Sequence, residues 1–228
     1  MNGISAVVFD FDGVIANSEP LHFRAFRDVL ERESVTLLEQ DYYGRYLGFD
    51  DVGTFRAVSR DRGLSWDSDR VTELVGRKAI RLEEIERGAS LLFPGAESAI
   101  RRLAAAVPLA IASGALRTEI ERVLARTNLA RYFGAVVGAE DTEASKPAPD
   151  PYLRAVSLLA AAIGRPLRPA DCVAIEDSRW GLESARLAGL RTVAVTHTYP
   201  AAELGEADLV ITNLDALDLA NLSRISAS

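Results

Sequence analysis

Residues 6–22 read AVVFDFDGVIANSEPLH: an apolar run delivers Asp10, a phenylalanine, then Asp12 and Gly13. A short apolar run rich in β-branched residues and closed by a turn signal reads as a buried strand, so the two acids stand at its carboxyl end. In an open parallel sheet that is the edge where ligands bind. A plainer account also exists for this stretch alone, in which Asp12 and Gly13 form a turn and Asp10 caps a helix.

Further along the chain, short apolar runs alternate with longer amphipathic stretches. The runs predict strands over residues 6–10, 107–112, 135–137, 172–175, 192–195 and 208–211; the stretches predict helices over 98–106, 117–126, 151–163 and 179–188, the last ending at Gly189. Such alternation is the pattern of an α/β fold, a parallel sheet flanked by helices. Between about residues 21 and 92 the alternation stops, and helical patterns such as HFRAFRDVLERE and VTELVGRKAIRLEEIER take over. That interval is too long for a crossover in a compact sheet. It reads as an inserted α-helical domain over residues 18–92, with the core made of residues 1–17 and 93–228 and linkers near 17–20 and 93–95.

With 228 residues, 48% of them hydrophobic, the chain can bury one large core and a smaller accessory one. Its 33 acidic and 26 basic residues give a net charge of -7 with the signs interspersed, so the expectation is no nucleic-acid partner and no membrane partner. No apolar stretch approaches the roughly 20 residues that span a bilayer, and MNGISAVV lacks the features of a signal peptide; a cytoplasmic monomer is expected, with a weak homodimer as the alternative. The single cysteine, Cys172 in CVAI, reads as a small buried hydrophobe.

Three other strand ends bear on Asp10 and Asp12. IASG puts Ser113 and Gly114 where a hydroxyl and backbone amides can hold an anion. SKPAPDPY puts Lys146 before a proline that stiffens its backbone, and VAIEDSRWG ends a buried run on Glu176 and Asp177, acids costly to bury unless paired or metal-bound. Each has an ordinary explanation: Ser113 caps a helix, Lys146 is solvated, Asp177 starts a helix. Their convergence on one sheet edge outweighs those explanations.

In DFDGVIANSE, IASG, KPAPDPY and IEDSRWGLESARLAG the chain resembles the haloacid dehalogenase superfamily, in the branch with a helical cap after the first strand that includes β-phosphoglucomutases and phosphoglycolate phosphatases. The resemblance implies a Rossmann-like core, with Asp10 as nucleophile and Asp12 as general acid and base. It also implies Mg2+ on Asp10, the Asp12 backbone carbonyl and Asp177, with Glu176 a further ligand or a neighbour of the ligands. Ser113, Gly114 and Lys146 would hold the phosphoryl group. The implied activity is a magnesium-dependent phosphatase that hydrolyses a small phosphorylated metabolite, a sugar phosphate or phosphoglycolate-like compound, through an aspartyl phosphate. A phosphomutase is the second reading and a non-catalytic phosphometabolite-binding module the third.

One departure concerns the cap. β-Phosphoglucomutases carry an arginine shortly after an L-x-G element, whereas RYLGFDDVGTFR has Asp50 and Asp51 there. Two acids would repel a second phosphate, which favours a hydrolase unless Arg56 or Lys78 compensates. Ser18, His22, Asp50, Asp51 and Lys78 are the expected cap and hinge residues for substrate. His197 reads as structural or exposed.

Overall fold

The structure, a computed structural model, describes residues 3–47, 49, 51–88 and 90–225. The chain forms two compact units, Ser18–Ser90 and the combination of Met1–Asn17 with Leu91–Ser228.

The Ser18–Ser90 unit is helical. It contains α1 (Glu19–Glu31), the short α2 (Glu39–Asp41) running into a π-turn over Tyr42–Tyr46, α3 (Asp51–Asp61) and α4 (Ser68–Glu86). Pro20 sits in the first turn of α1, where its missing N–H costs nothing, and Asp67 caps α4 by accepting from the Arg70 N–H at 2.8 Å. α4 packs on α1 and α3 around a core that includes Phe26, Leu30, Tyr42, Phe55, Val58 and Leu74. Charges on the outer faces pair locally: Glu33 takes Arg70 and Arg77, and Asp28 takes Arg81.

The other unit is an α/β fold. Its strands are β1 (Ala6–Phe9), β2 (Leu109–Ala112), β3 (Phe133–Val137), β4 (Cys172–Glu176), β5 (Arg191–Val195) and β6 (Leu209–Ile211), and its α-helices are α5 (Ala96–Ala104), α6 (Arg117–Thr127), α7 (Asp150–Ile163), α8 (Arg179–Leu187) and α9 (Leu219–Ile225). The six strands lie in the order β3-β2-β1-β4-β5-β6, all paired in parallel. β2 begins two residues later than expected because Pro108 has no N–H for the ladder. α5 begins two residues earlier because Gly95 takes the left-handed conformation, φ 82°, that starts it.

β1 and β4 are buried at every position, as befits strands covered on both faces. Ala6 and Val8 join Tyr152 and Leu159 of α7 and Ala185 of α8 in one core layer; by the alternation of strand side chains, Val7 and Phe9 point the other way, where Phe9 meets Phe133 edge-on at 6.2 Å. The chain winds outward through β2 and β3, returns to β4 beside β1 and winds out the other way, so strand order reverses between β1 and β4. Phe9 is in register with Ile175 and the Asp10 N–H donates to the Ile175 carbonyl at 2.9 Å. The residues after these two strands are thereby forced together at the position where such sheets bind ligands.

Two glycines test this packing in opposite directions. A Cβ on Gly181 in α8 would overlap the Glu176 carboxylate, whereas one on Gly76 in α4 meets nothing within 4 Å. In thermal or urea unfolding, Gly181→Ala is expected to lose about 1–3 kcal/mol as an overpacked site, and Gly76→Ala to gain up to about 1 kcal/mol from helix propensity.

Candidate active site

Three carboxylates meet where β1 and β4 end. Asp10, Glu176 and Asp177 are all buried, and one carboxylate oxygen from each lies within 4.8 Å of the other two. One cation reaches into them: Lys146 Nζ is 2.6 Å from Asp10 Oδ1 and 2.5 Å from Glu176 Oε1. With all four groups ionised the cluster carries two negative charges in excess, in a medium that penalises them severely.

The acidities follow from that imbalance. Burial, reinforced by Glu176 and Asp177 and opposed by Lys146, holds the Asp10 carboxyl well above the usual carboxylate range. Burial and Glu176 push Asp177 up to about 7 against the relief offered by Thr198 and Lys146. Burial alone would lower Lys146, but Asp10 and Glu176 outweigh it and raise its pKa.

Glu176 is the most completely bonded of the three. Its Oε1 accepts from Lys146 and from the Tyr152 hydroxyl at 2.9 Å; its Oε2 accepts from the Asp177 N–H at 3.1 Å, the Ser178 N–H at 3.3 Å and the Ser178 hydroxyl at 3.1 Å. Ser178, not Asp177, caps α8, by accepting from the Gly181 N–H at 3.1 Å. The ordinary explanation of Asp177 as a helix start is thus removed.

Asp12 is exposed, two residues beyond Asp10 in a turn closed by bonds from the Ile15 and Ala16 N–H groups to the Phe11 carbonyl, both 2.8 Å. Gly13 has φ 81°, and a Cβ there would overlap the Asp177 carboxylate, so the turn admits only glycine. Ser113 does not cap α6, whose N-cap is Leu116; its hydroxyl accepts from the Ala115 N–H at 3.0 Å, a local turn that leaves its proton to donate. Ser113, Gly114 and Lys146 line one cleft of about 280 Å³ together with Thr142 and Ser145.

Sequence reasoning passed over several contributors. Tyr152 is fully buried beneath Lys146, with Nζ 5.0 Å from its ring centroid. Ser178 and Thr198 bond the acids. His197, read from the sequence as structural or exposed, is half-buried with Nδ1 2.9 Å from the Gly13 carbonyl.

The residues singled out in the helical unit are described within it. Lys78 Nζ is buried, bonded to Asp51 Oδ1 at 2.7 Å and His22 Nδ1 at 3.1 Å, and lies over the Phe26 ring. Asp51 is therefore an ion-paired acid, which removes half of the repulsion inferred from the sequence. Ser18 is half-buried just before α1, and Arg56 is exposed on α3. Asp50 lies outside the described residues.

Residues 4–189 match the family of haloacid dehalogenase-like hydrolases. The chain belongs to that family. Protein CbbY of Rhodobacter capsulatus is 34% identical over 223 residues, 93% of this chain and 95% of its own length. Fructose-1-phosphate phosphatase YqaB of Escherichia coli (strain K12) is 29% identical over 201 residues, 84% and 96% of the two chains. The fold of CbbY from Rhodobacter sphaeroides, solved in complex with phosphate, matches with a TM-score of 0.78 at 24% identity, covering 96% of this chain and 99% of that one. No helix among the described residues of this haloacid dehalogenase-like chain is long and apolar enough to cross a membrane.

The donor set of the acidic cluster, hard carboxylate oxygens with excess charge equal to one divalent cation, fits magnesium or a similar ion. Because Asp177 titrates near 7 when no cation is bound, protons compete for it below that pH. A folded pKa above the unfolded value means the metal-free protein holds an extra proton between about pH 4 and about pH 7, so its stability declines as pH rises through that window. Added magnesium relieves the same repulsion. The rise in Tm on adding it is expected to be larger at about pH 8 than at about pH 5.5, and to be sharply reduced in Asp177→Asn; calorimetry giving equal rises at both pH values contradicts the assignment.

Proposed function

We propose that this chain, a hydrolase of phosphoric monoesters, is a magnesium-dependent phosphatase acting on a small phosphorylated metabolite through an aspartyl phosphate on Asp10. The observation that carries the reading is the placement of Lys146 between Asp10 and Glu176 where strand order reverses, with Asp177 beside them. A binding module would have no use for a buried acid held against a lysine and a second, exposed acid two residues on.

The chemistry divides into two displacements at phosphorus. Asp10 attacks and the phosphorus–oxygen bond to the leaving group breaks, while Asp12 gives that oxygen its proton. Asp12 then takes a proton from the water that attacks the aspartyl phosphate, releasing inorganic phosphate and restoring Asp10. Ser113, the Gly114 N–H and Lys146 bind the phosphoryl oxygens throughout, a preorganised set of donors. Magnesium, when bound by Asp10, Asp177 and the Asp12 backbone carbonyl, offsets the repulsion between the nucleophile and the phosphoryl oxygens. Glu176, with both oxygens already taken, is assigned to orienting Lys146.

The substrate class is a sugar phosphate or a phosphoglycolate-like compound, in keeping with the fructose-1-phosphate phosphatase among the relatives. A phosphomutase is the second reading; Lys78, buried and already held by Asp51 and His22 within the helical unit, adds no support to it. Phosphate release from a panel of sugar phosphates, phosphoglycolate and nucleotides tests the first reading. Conversion of β-glucose 1-phosphate to glucose 6-phosphate with a trace of bisphosphate and little free phosphate replaces it with the second.

Asp10→Asn is expected to fold and to show no turnover. Asp12→Asn is expected to keep phosphate binding and lose about 100- to 10,000-fold in kcat on alkyl phosphates. Chelation is expected to abolish phosphate release and added magnesium to restore it; undiminished release in chelator contradicts the metal assignment.

A further inference from the structure

We infer that His197 is a positioning residue for Asp12, acting through the Gly13 carbonyl that follows it. The inference rests on the proton-transfer role proposed for Asp12.

The turn over residues 11–16 fastens itself with three backbone bonds: Ile15 and Ala16 donate to the Phe11 carbonyl, and the Gly13 N–H donates to the Ala16 carbonyl at 3.1 Å. The Gly13 carbonyl points instead at His197, whose Nδ1 lies 2.9 Å away. A carbonyl can only accept, so the imidazole carries its proton on Nδ1. The peptide that leaves Gly13, the next one after the Asp12–Gly13 peptide, is thus held from outside the turn, by a residue 184 positions after Gly13.

His197 is itself firmly placed. It follows β5, and the neighbouring Thr196 N–H donates to the Ile211 carbonyl of β6 at 3.0 Å. Its ring stacks on Phe93, centroids 4.0 Å apart and planes 13° from parallel, and the Phe93 N–H donates to the Ile15 carbonyl at 3.0 Å. The imidazole and the turn therefore share a second support. The Asp177 carboxylate occupies the space a Gly13 Cβ would need. Gly13 therefore takes its left-handed φ as glycine, and His197 holds its carbonyl.

Asp10 does not depend on this clamp: its N–H is fixed to Ile175 and its carboxylate to Lys146. Losing the His197 contact leaves the bonds of Asp10 to Ile175 and Lys146 in place while loosening the turn that carries Asp12; magnesium at saturation in the assay keeps the Asp12 backbone carbonyl from deciding the outcome. Misplacement by about 1 Å is enough to cost on the order of 100-fold in a positioned reaction. The loss is selective: an alkoxide leaving group needs Asp12's proton, whereas p-nitrophenolate departs without it.

The test is kcat/KM for an alkyl phosphate and for p-nitrophenyl phosphate, a parameter that covers the steps through departure of the leaving group and excludes the attack of water. His197→Phe keeps the stack on Phe93 and removes the donor; it is expected to lower the alkyl value by about 10-fold or more and the p-nitrophenyl value by less than about 3-fold. His197→Met, another non-donor, carries the same expectation if His197→Phe does not fold. His197→Asn places an amide nitrogen where Nδ1 stands and is expected to restore the alkyl value. Asp12→Asn, measured alongside, is expected to show the same selectivity more strongly. If Asp12→Asn lowers both substrates alike, the proton-transfer reading of Asp12 fails. If Asp12→Asn is selective while the non-donor variants at His197 leave both substrates unchanged, or lower both equally, or if His197→Asn does not restore the alkyl value, the role of His197 is overturned and that of Asp12 stands.

Discussion

Burial of three carboxylates against a single ammonium is the constraint to which the rest of the sheet unit answers. Asp10, Glu176 and Asp177 are brought together because β1 and β4 are neighbours in register and end at the same height. Left uncompensated, that charge would be expelled from a protein interior or neutralised by protons, and burial raises the proton affinity of both Asp10 and Asp177 accordingly. Lys146 offsets one charge. Tyr152, Ser178 and two backbone N–H groups satisfy Glu176, and the remaining deficit matches one divalent ion. Space for the acids comes from the absence of side chains at Gly13 and Gly181. The same features that make the cluster expensive make it reactive, since preorganised charges in a dry site act without reorganising.

The helical unit is built on a different principle. Its core is aromatic and aliphatic, and one of its buried charges, Lys78, is matched within the unit by Asp51 and His22. A buried lysine with one carboxylate and one imidazole approaches balance, so this cluster makes no comparable demand for an external cation.

Much of this was legible in the sequence, for identifiable reasons. The strands are short runs buried on both faces, so they stand out without reference to the fold, and acids at their ends must project from one sheet edge once the strands are parallel. Three boundary errors fall where single residues alter an element's edge: Pro108 delays β2, Gly95 advances α5, and Gly134 conceals the start of β3; α9 was not expected. What stayed hidden depends on contacts between distant segments. Tyr152 reaches Glu176 because α7 packs across the sheet. Asp51 looked unpaired because Lys78 lies 27 residues away, and His197 gave no sign of its bond to Gly13. Nothing in local pattern encodes such meetings; they are products of tertiary register.

The central claim is that Asp10 becomes phosphorylated. Rapid quenching during turnover, followed by borohydride reduction, converts an aspartyl phosphate to homoserine, and peptide mass spectrometry locates it. The account predicts homoserine at position 10 and at no other acid, and only when substrate and magnesium are both present. Homoserine at position 12 or 177, or none at all in an enzyme that is releasing phosphate and whose intermediate builds up to measurable occupancy in a burst, would contradict it.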